Sequence, residues 1–124
     1  MKTRLLIADD SPDYLRVLEL LLEPFEGIDV VAAATDGREA VERVCRNDID
    51  VALLDVEMPV VDGLAAAETI RRLAPETAVV LQTGCLTETV LRRADTLGLF
   101  VFDKLKLIGD LESLAGLSRS RRAA

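Results

Sequence analysis

Five short apolar runs, Leu5–Ala8, Val30–Ala34, Val51–Leu54, Ala78–Leu81 and Leu99–Phe102, alternate along the chain with stretches of helical periodicity. No other feature limits the fold so strongly. Each run is continuous rather than alternating, the pattern of a strand covered on both faces. The first periodic stretch puts Tyr14, Val17, Leu18, Leu21 and Leu22 on one side, with Ser11 as N-cap, Pro12 at the first helical position and Pro24 as the stop. The second starts at Asp36 with Glu39 three residues on, a variant of the capping box, and packs Ala40, Val41, Val44 and Cys45. The third runs from Leu64 to Leu73 and halts before Pro75. The fourth begins near Thr87, presents Val90, Leu91, Ala94 and Leu97, and closes at Gly98. A shorter fifth helix is expected over Asp110–Leu117. Strand and helix repeated five times predict an α/β fold: a single doubly wound (βα)5 domain on a five-stranded parallel sheet, strand order 2-1-3-4-5, with right-handed crossovers.

A chain of 124 residues suits one domain, assigned to residues 1–117, with 118–124 as a short basic tail or linker stub carrying Arg119, Arg121 and Arg122. Aromatic residues make up 3% of the chain, so the core must be built from Leu, Val, Ile and Ala. The net charge of −7 argues against direct nucleic-acid binding, which needs clustered Lys and Arg. Histidine is absent, which removes His-based triads and means that any phosphohistidine chemistry draws its histidine from a partner. Cys45 and Cys85 lie among apolar neighbours without CxxC spacing and read as reduced, buried thiols. Met1–Arg4 is too short for a signal peptide, and no stretch reaches membrane-spanning length. The expectation is a cytoplasmic protein without membrane insertion.

In open parallel sheets, function gathers outside the carboxyl ends of the strands. Asp9 and Asp10 follow the first apolar run, Asp55 the third, Thr83 the fourth, and Asp103 and Lys104 the fifth. Taken singly, an aspartate after a strand serves as a helix cap, a threonine as a turn residue and a lysine as a surface charge. Residues of these types from four strands on one edge are a constellation. Strands 1 and 3 are neighbours at the switch point, so the carboxylates of Asp9, Asp10 and Asp55 should converge. Their mutual repulsion calls for a hard dication with oxygen ligands, for which Mg²⁺ is suited, with Mn²⁺ as a substitute. Lys104 adds a point charge fitted to phosphate, and Thr83 a hydroxyl donor. A carboxylate nucleophile, a metal, a lysine and a hydroxyl make up a phosphoryl-transfer site.

At these residues the sequence resembles the receiver domains of two-component response regulators, chemotaxis-regulator-like proteins of flavodoxin-like fold. The likeness runs from Arg4 to Leu117. Its most specific piece is Asp55-Val56-Glu57-Met58-Pro59-Val60-Val61-Asp62-Gly63, similar to the family's D-x-x-M-P-x-x-D-G. The resemblance implies that Asp55 takes phosphate from a histidine kinase or a histidine phosphotransfer protein. Asp10, with Asp9 directly or through water, would hold Mg²⁺ together with Asp55 and the Glu57 backbone carbonyl. Thr83 would turn toward the phosphoryl group and Lys104 pair with it. Three positions depart from the family pattern, one being Gly84 after Thr83, which removes a methyl group from that loop. Leu105 follows Lys104 where proline is usual, often through a cis bond, and Val101 stands where an aromatic switch residue is customary. Phe100 and Phe102 flank Val101 but should face the opposite way. Glu57 reads equally as a modulator of phosphate loss and as a solvated loop charge.

The implied function is a phosphoacceptor signalling module that is no enzyme apart from its own phosphorylation and dephosphorylation. The phosphoryl group would bias a helix 4–strand 5–helix 5 surface toward a downstream protein or a second copy. Two rivals stand beside it. One is an aspartate-nucleophile, Mg²⁺-dependent phosphatase-like hydrolase, for which Glu57 would be the second acid. The other is an interaction receiver independent of phosphorylation. A flavodoxin-like cofactor binder is disfavoured, because Asp9-Asp10-Ser11-Pro12 lacks a glycine-rich phosphate cradle.

Overall fold

The computed structural model describes residues 2–107. The expected helix over 110–117 and the tail 118–124 lie outside the described residues. The five apolar runs are strands β1 (Thr3–Ala8), β2 (Ile28–Ala34), β3 (Val51–Asp55), β4 (Ala78–Thr83) and β5 (Phe100–Asp103). All pair in parallel, in the order β2-β1-β3-β4-β5. β3 and β4 are buried along their whole length, which is why their runs carry no polar alternation.

The helices α1 (Pro12–Leu22), α2 (Gly37–Arg46), α3 (Gly63–Leu73) and α4 (Glu88–Thr96) begin where side-chain acceptors satisfy the free amides of a first turn. Ser11 accepts from the Tyr14 N–H, Asp36 from Glu39, Asp62 from Ala65 and Thr87 from Val90. Gly98, at φ +66°, closes α4 in a Schellman arrangement: its N–H donates to Asp95 and that of Leu99 to Ala94. Two cores result. Leu15, Leu18 and Leu22 of α1 cover one sheet face with Leu5, Ile7, Leu53 and Val80. Ala40, Val44, Leu64, Ala67, Ile70 and Ala94 cover the other with Leu6, Leu54 and Leu81. No helix among the described residues is long and apolar enough to cross a membrane.

Several expectations need correction. Val17 is 48% exposed, and Leu15 takes the buried position in its place. Cys45 and Cys85 are free but exposed. Cys45 follows Val44 in sequence yet lies a further 100° around α2, and Cys85 sits in the loop past β4. Leu91 is exposed, leaving Ala94 as the buried residue of α4. Beyond β5 the chain enters helix α5 (Lys104–Leu107) at once, with no cis peptide among the described residues. The strand alternation holds: Val101 packs with the core under α2 and α3, Phe102 with that under α1.

Candidate functional site

Parallel strands deliver their carboxyl ends to one rim, and the register fixes who meets whom. Ala8 is level with Leu54, Asp55 with Gln82, and Thr83 with Asp103. Asp9, directly beyond β1, is fully buried; its N–H donates to the Ala34 carbonyl and its Oδ1 accepts from the Ser11 N–H at 2.9 Å. Asp10 points to solvent as an exposed residue, and Asp55 ends β3 as a buried one. One carboxylate oxygen from each of Asp9, Asp10 and Asp55 lies within 4.8 Å of the other two. The expected convergence is present.

The loop after Asp55 is held down at both ends. Val56 and Met58 are buried, the Val56 N–H donates to the Gln82 carbonyl at 2.9 Å, and Gly63 N–H donates back to Val56. A Cβ at Gly63 would overlap the Asp55 carbonyl oxygen, so only glycine lets α3 start this close to β3. Glu57 N–H faces Asp55 Oδ1 at 3.4 Å, while the Glu57 side chain is exposed. Val60, in the same loop, has φ 67°, a left-handed conformation that β-branched residues rarely adopt.

Lys104 bridges the two buried acids. Its Nζ is 2.6 Å from Asp9 Oδ2 and 3.3 Å from Asp55 Oδ2. Burial, followed by the negative charge of Asp9, pushes the Asp55 carboxyl up to about 6 from an ordinary 3.8, with Lys104 and the Glu57 N–H opposing. Burial works to lower the Lys104 ammonium, but its bonds and charge contacts with Asp9 and Asp55 prevail and leave it raised. The donor set consists of hard carboxylate oxygens with excess negative charge at close range, which fits Mg²⁺. Thr83, also buried at this rim, is turned to its own loop: its Oγ1 accepts from the Cys85 N–H at 3.1 Å and donates to the Cys85 carbonyl at 3.2 Å. Asp9, Asp10, Asp55 and Lys104 are therefore assembled, while the Thr83 hydroxyl is bonded to the Cys85 backbone instead.

Two residues at the rim were not foreseen as part of it. Tyr14, assigned from the sequence only to the apolar side of α1, places its ring 4.6 Å from Lys104 Nζ. Its hydroxyl donates to Gln82 Oε1 at 3.1 Å. A glutamine extending the apolar run Ala78–Leu81 was the available signal.

Residues 5–102 match the family model described as the response regulator receiver domain. A protein-glutamate methylesterase/protein-glutamine glutaminase of Caldanaerobacter subterraneus subsp. tengcongensis is 39% identical over 91% of this chain, which covers 30% of that relative. The chain spans less than a third of the curated relatives it matches. Among solved structures, the response regulator domain of Thermotoga maritima CheB superposes with a TM-score of 0.85 at 26% identity, covering 95% of this chain and 96% of that one. The isolated REC domain of RcsB from Salmonella enterica serovar Typhimurium, in the presence of phosphomimetic BeF3⁻, gives 0.85 at 25% identity, covering 96% and 90%.

Proposed function

The chain belongs to the response regulator receiver domain family, the phosphoacceptor modules of two-component signalling, and on that premise we propose that Asp55 is its phosphoacceptor. One observation carries the reading: the buried Asp55 carboxylate meets Asp9, Asp10 and the Lys104 ammonium at a single rim. An Asp55 oxygen would attack the phosphorus of a partner's phosphohistidine. The P–O bond forms as the P–N bond breaks, and the departing imidazole takes up a proton from solvent. Bound Mg²⁺, or Mn²⁺ in its place, would neutralise charge shared by the carboxylates and the phosphoryl oxygens. Asp9, Asp10, Asp55 and the Glu57 backbone carbonyl are the groups assigned to hold it. Lys104 would pass from Asp9 to a phosphoryl oxygen. The Thr83 hydroxyl would leave the Cys85 backbone to donate to another.

The donor is a histidine kinase or a histidine phosphotransfer protein, since this chain has no histidine. The output surface is the α4–β5–α5 face, where Leu91 and Phe100 are exposed, and its occupant is a downstream protein or a second copy. Nucleic acid is a poor direct partner for a net charge of −7. The setting is cytoplasmic, without membrane insertion. No feature of the site favours hydrolase turnover, and Glu57, its required second acid, faces solvent. Intact-mass measurement after incubation with acetyl phosphate and Mg²⁺ tests the reading. One phosphoryl group per chain is expected, lost in Asp55→Asn or with a chelator; full modification of Asp55→Asn would refute it.

A further inference from the structure

We propose that Tyr14 and Gln82 form a positioning pair that holds the Lys104 ammonium between Asp9 and Asp55 and guides it toward a phosphoryl group. The inference rests on the assignment of Asp55 and Lys104 to phosphoryl transfer. Lysine is a flexible stem with a mobile point charge, and a site that uses one needs something to confine it. Here the Tyr14 ring lies 4.6 Å from Nζ, within the range at which the negative face of an aromatic ring attracts a cation. The ring is itself fixed, because the Tyr14 hydroxyl donates to Gln82 Oε1 at 3.1 Å. α1 supplies the ring and β4 the anchor, so the pair ties the helix to the sheet next to the lysine.

Gln82 is hard to explain as a stabilising residue. It is fully buried on the strand face that otherwise carries Ala78 and Val80, and its Nε2 has no hydrogen-bond partner among the described residues. A buried donor left unpaired opposes folding, and an apolar residue of similar volume avoids that penalty. Gln82 shares its register with Asp55 on one side and Phe102 on the other, and its amide oxygen meets the Tyr14 hydroxyl. That location is suited to orienting the ring.

The chain offers its own probe. Tyr14 is the single tyrosine and tryptophan is absent, so intrinsic tyrosine emission reports on this ring alone. Adding acetyl phosphate and Mg²⁺ to the wild type should change that emission at the rate at which acid-labile phosphate accumulates, because the ammonium shifts over the ring. Gln82→Leu should slow phosphate uptake by about 3- to 10-fold while its Tm equals or exceeds that of the wild type. Tyr14→Leu, which removes the ring, should slow uptake by about 10-fold or more. Gln82→Met is the substitute if Gln82→Leu fails to fold. Constant emission during phosphate uptake, or uptake by the variants at the wild-type rate, would overturn the pair and leave the Asp55 assignment standing. A Tm that falls in step with the uptake rate would also overturn it, in favour of a purely structural role. A wild type that takes up no phosphate would bring down both.

Discussion

Asp55 holds its carboxyl at about 6 because burial, and then the charge of Asp9, oppose its ionisation. A raised folded-state value means that the group favours folding when protonated. That contribution is complete below the unfolded value near 3.8 and is lost as pH rises through about 6. Without metal, Asp55→Asn should therefore be more stable than the wild type near neutral pH by about 1–3 kcal/mol, with the gain vanishing below about pH 4. Denaturant unfolding in EDTA at both pH values checks this; equal stabilities near neutrality would contradict it. Val60 makes a second residue-scale claim. At φ 67° and 76% exposure it carries backbone strain with no packing in return. Val60→Asn should stabilise the fold by about 1 kcal/mol, read as a shift in the urea midpoint at unchanged m-value. Asp9, Asp55 and Lys104 were legible in the sequence because each ends an apolar run at a predictable edge. The Thr83 bonds to Cys85 were not, since they depend on the loop beyond β4. The Tyr14–Gln82 contact was hidden because a tyrosine on an apolar helix side looks the same whether it packs or points its hydroxyl at a buried amide.

Among the elements, the junctions matter more than the spans. α3 begins against the end of β3 because Gly63 has no Cβ to collide with the Asp55 carbonyl, and α2 begins beside Val61 because Gly37 has none either. Gly63→Ala must push α3 and the acceptor loop apart. We expect it to lower stability by about 3 kcal/mol and to slow phosphate uptake by Asp55 at temperatures where the chain is still folded. Thermal unfolding paired with an uptake assay decides the matter, and an unaffected variant would show that the junction can relax. Ser11, Asp36, Asp62 and Thr87 all cap the helices they precede, and Gly98 ends α4, so helix limits were readable wherever a side chain or a glycine sets them. Faces were less readable. Val17 and Cys45 adjoin buried residues in sequence but sit a helical step away from the sheet, which local periodicity does not resolve at the margin of a stripe. The start of α5 at Lys104 was also unforeseen, because the sequence pattern set the last helix at Asp110–Leu117.

For the whole molecule, the parallel order β2-β1-β3-β4-β5 follows from uninterrupted apolar strands joined by crossover helices. That order is also what creates the site. It sets β1 beside β3, so acids separated by some 45 positions share one rim, and it brings β5 up beside β4 so that Lys104 reaches both Asp9 and Asp55. The apolar surface that closes the two cores thus serves a second end, forcing buried negative charges together around one ammonium. The central claim is that this assembly makes Asp55, and no other acid of the rim, the group that bonds to phosphorus. Borohydride reduction of the phosphorylated chain followed by peptide mapping tests it most directly, because an aspartyl phosphate is converted to homoserine where it stood. The account predicts that conversion at Asp55 alone, abolished by omitting Mg²⁺. Conversion at Asp9 or Asp10, or phosphate uptake that leaves Asp55 intact, would contradict it.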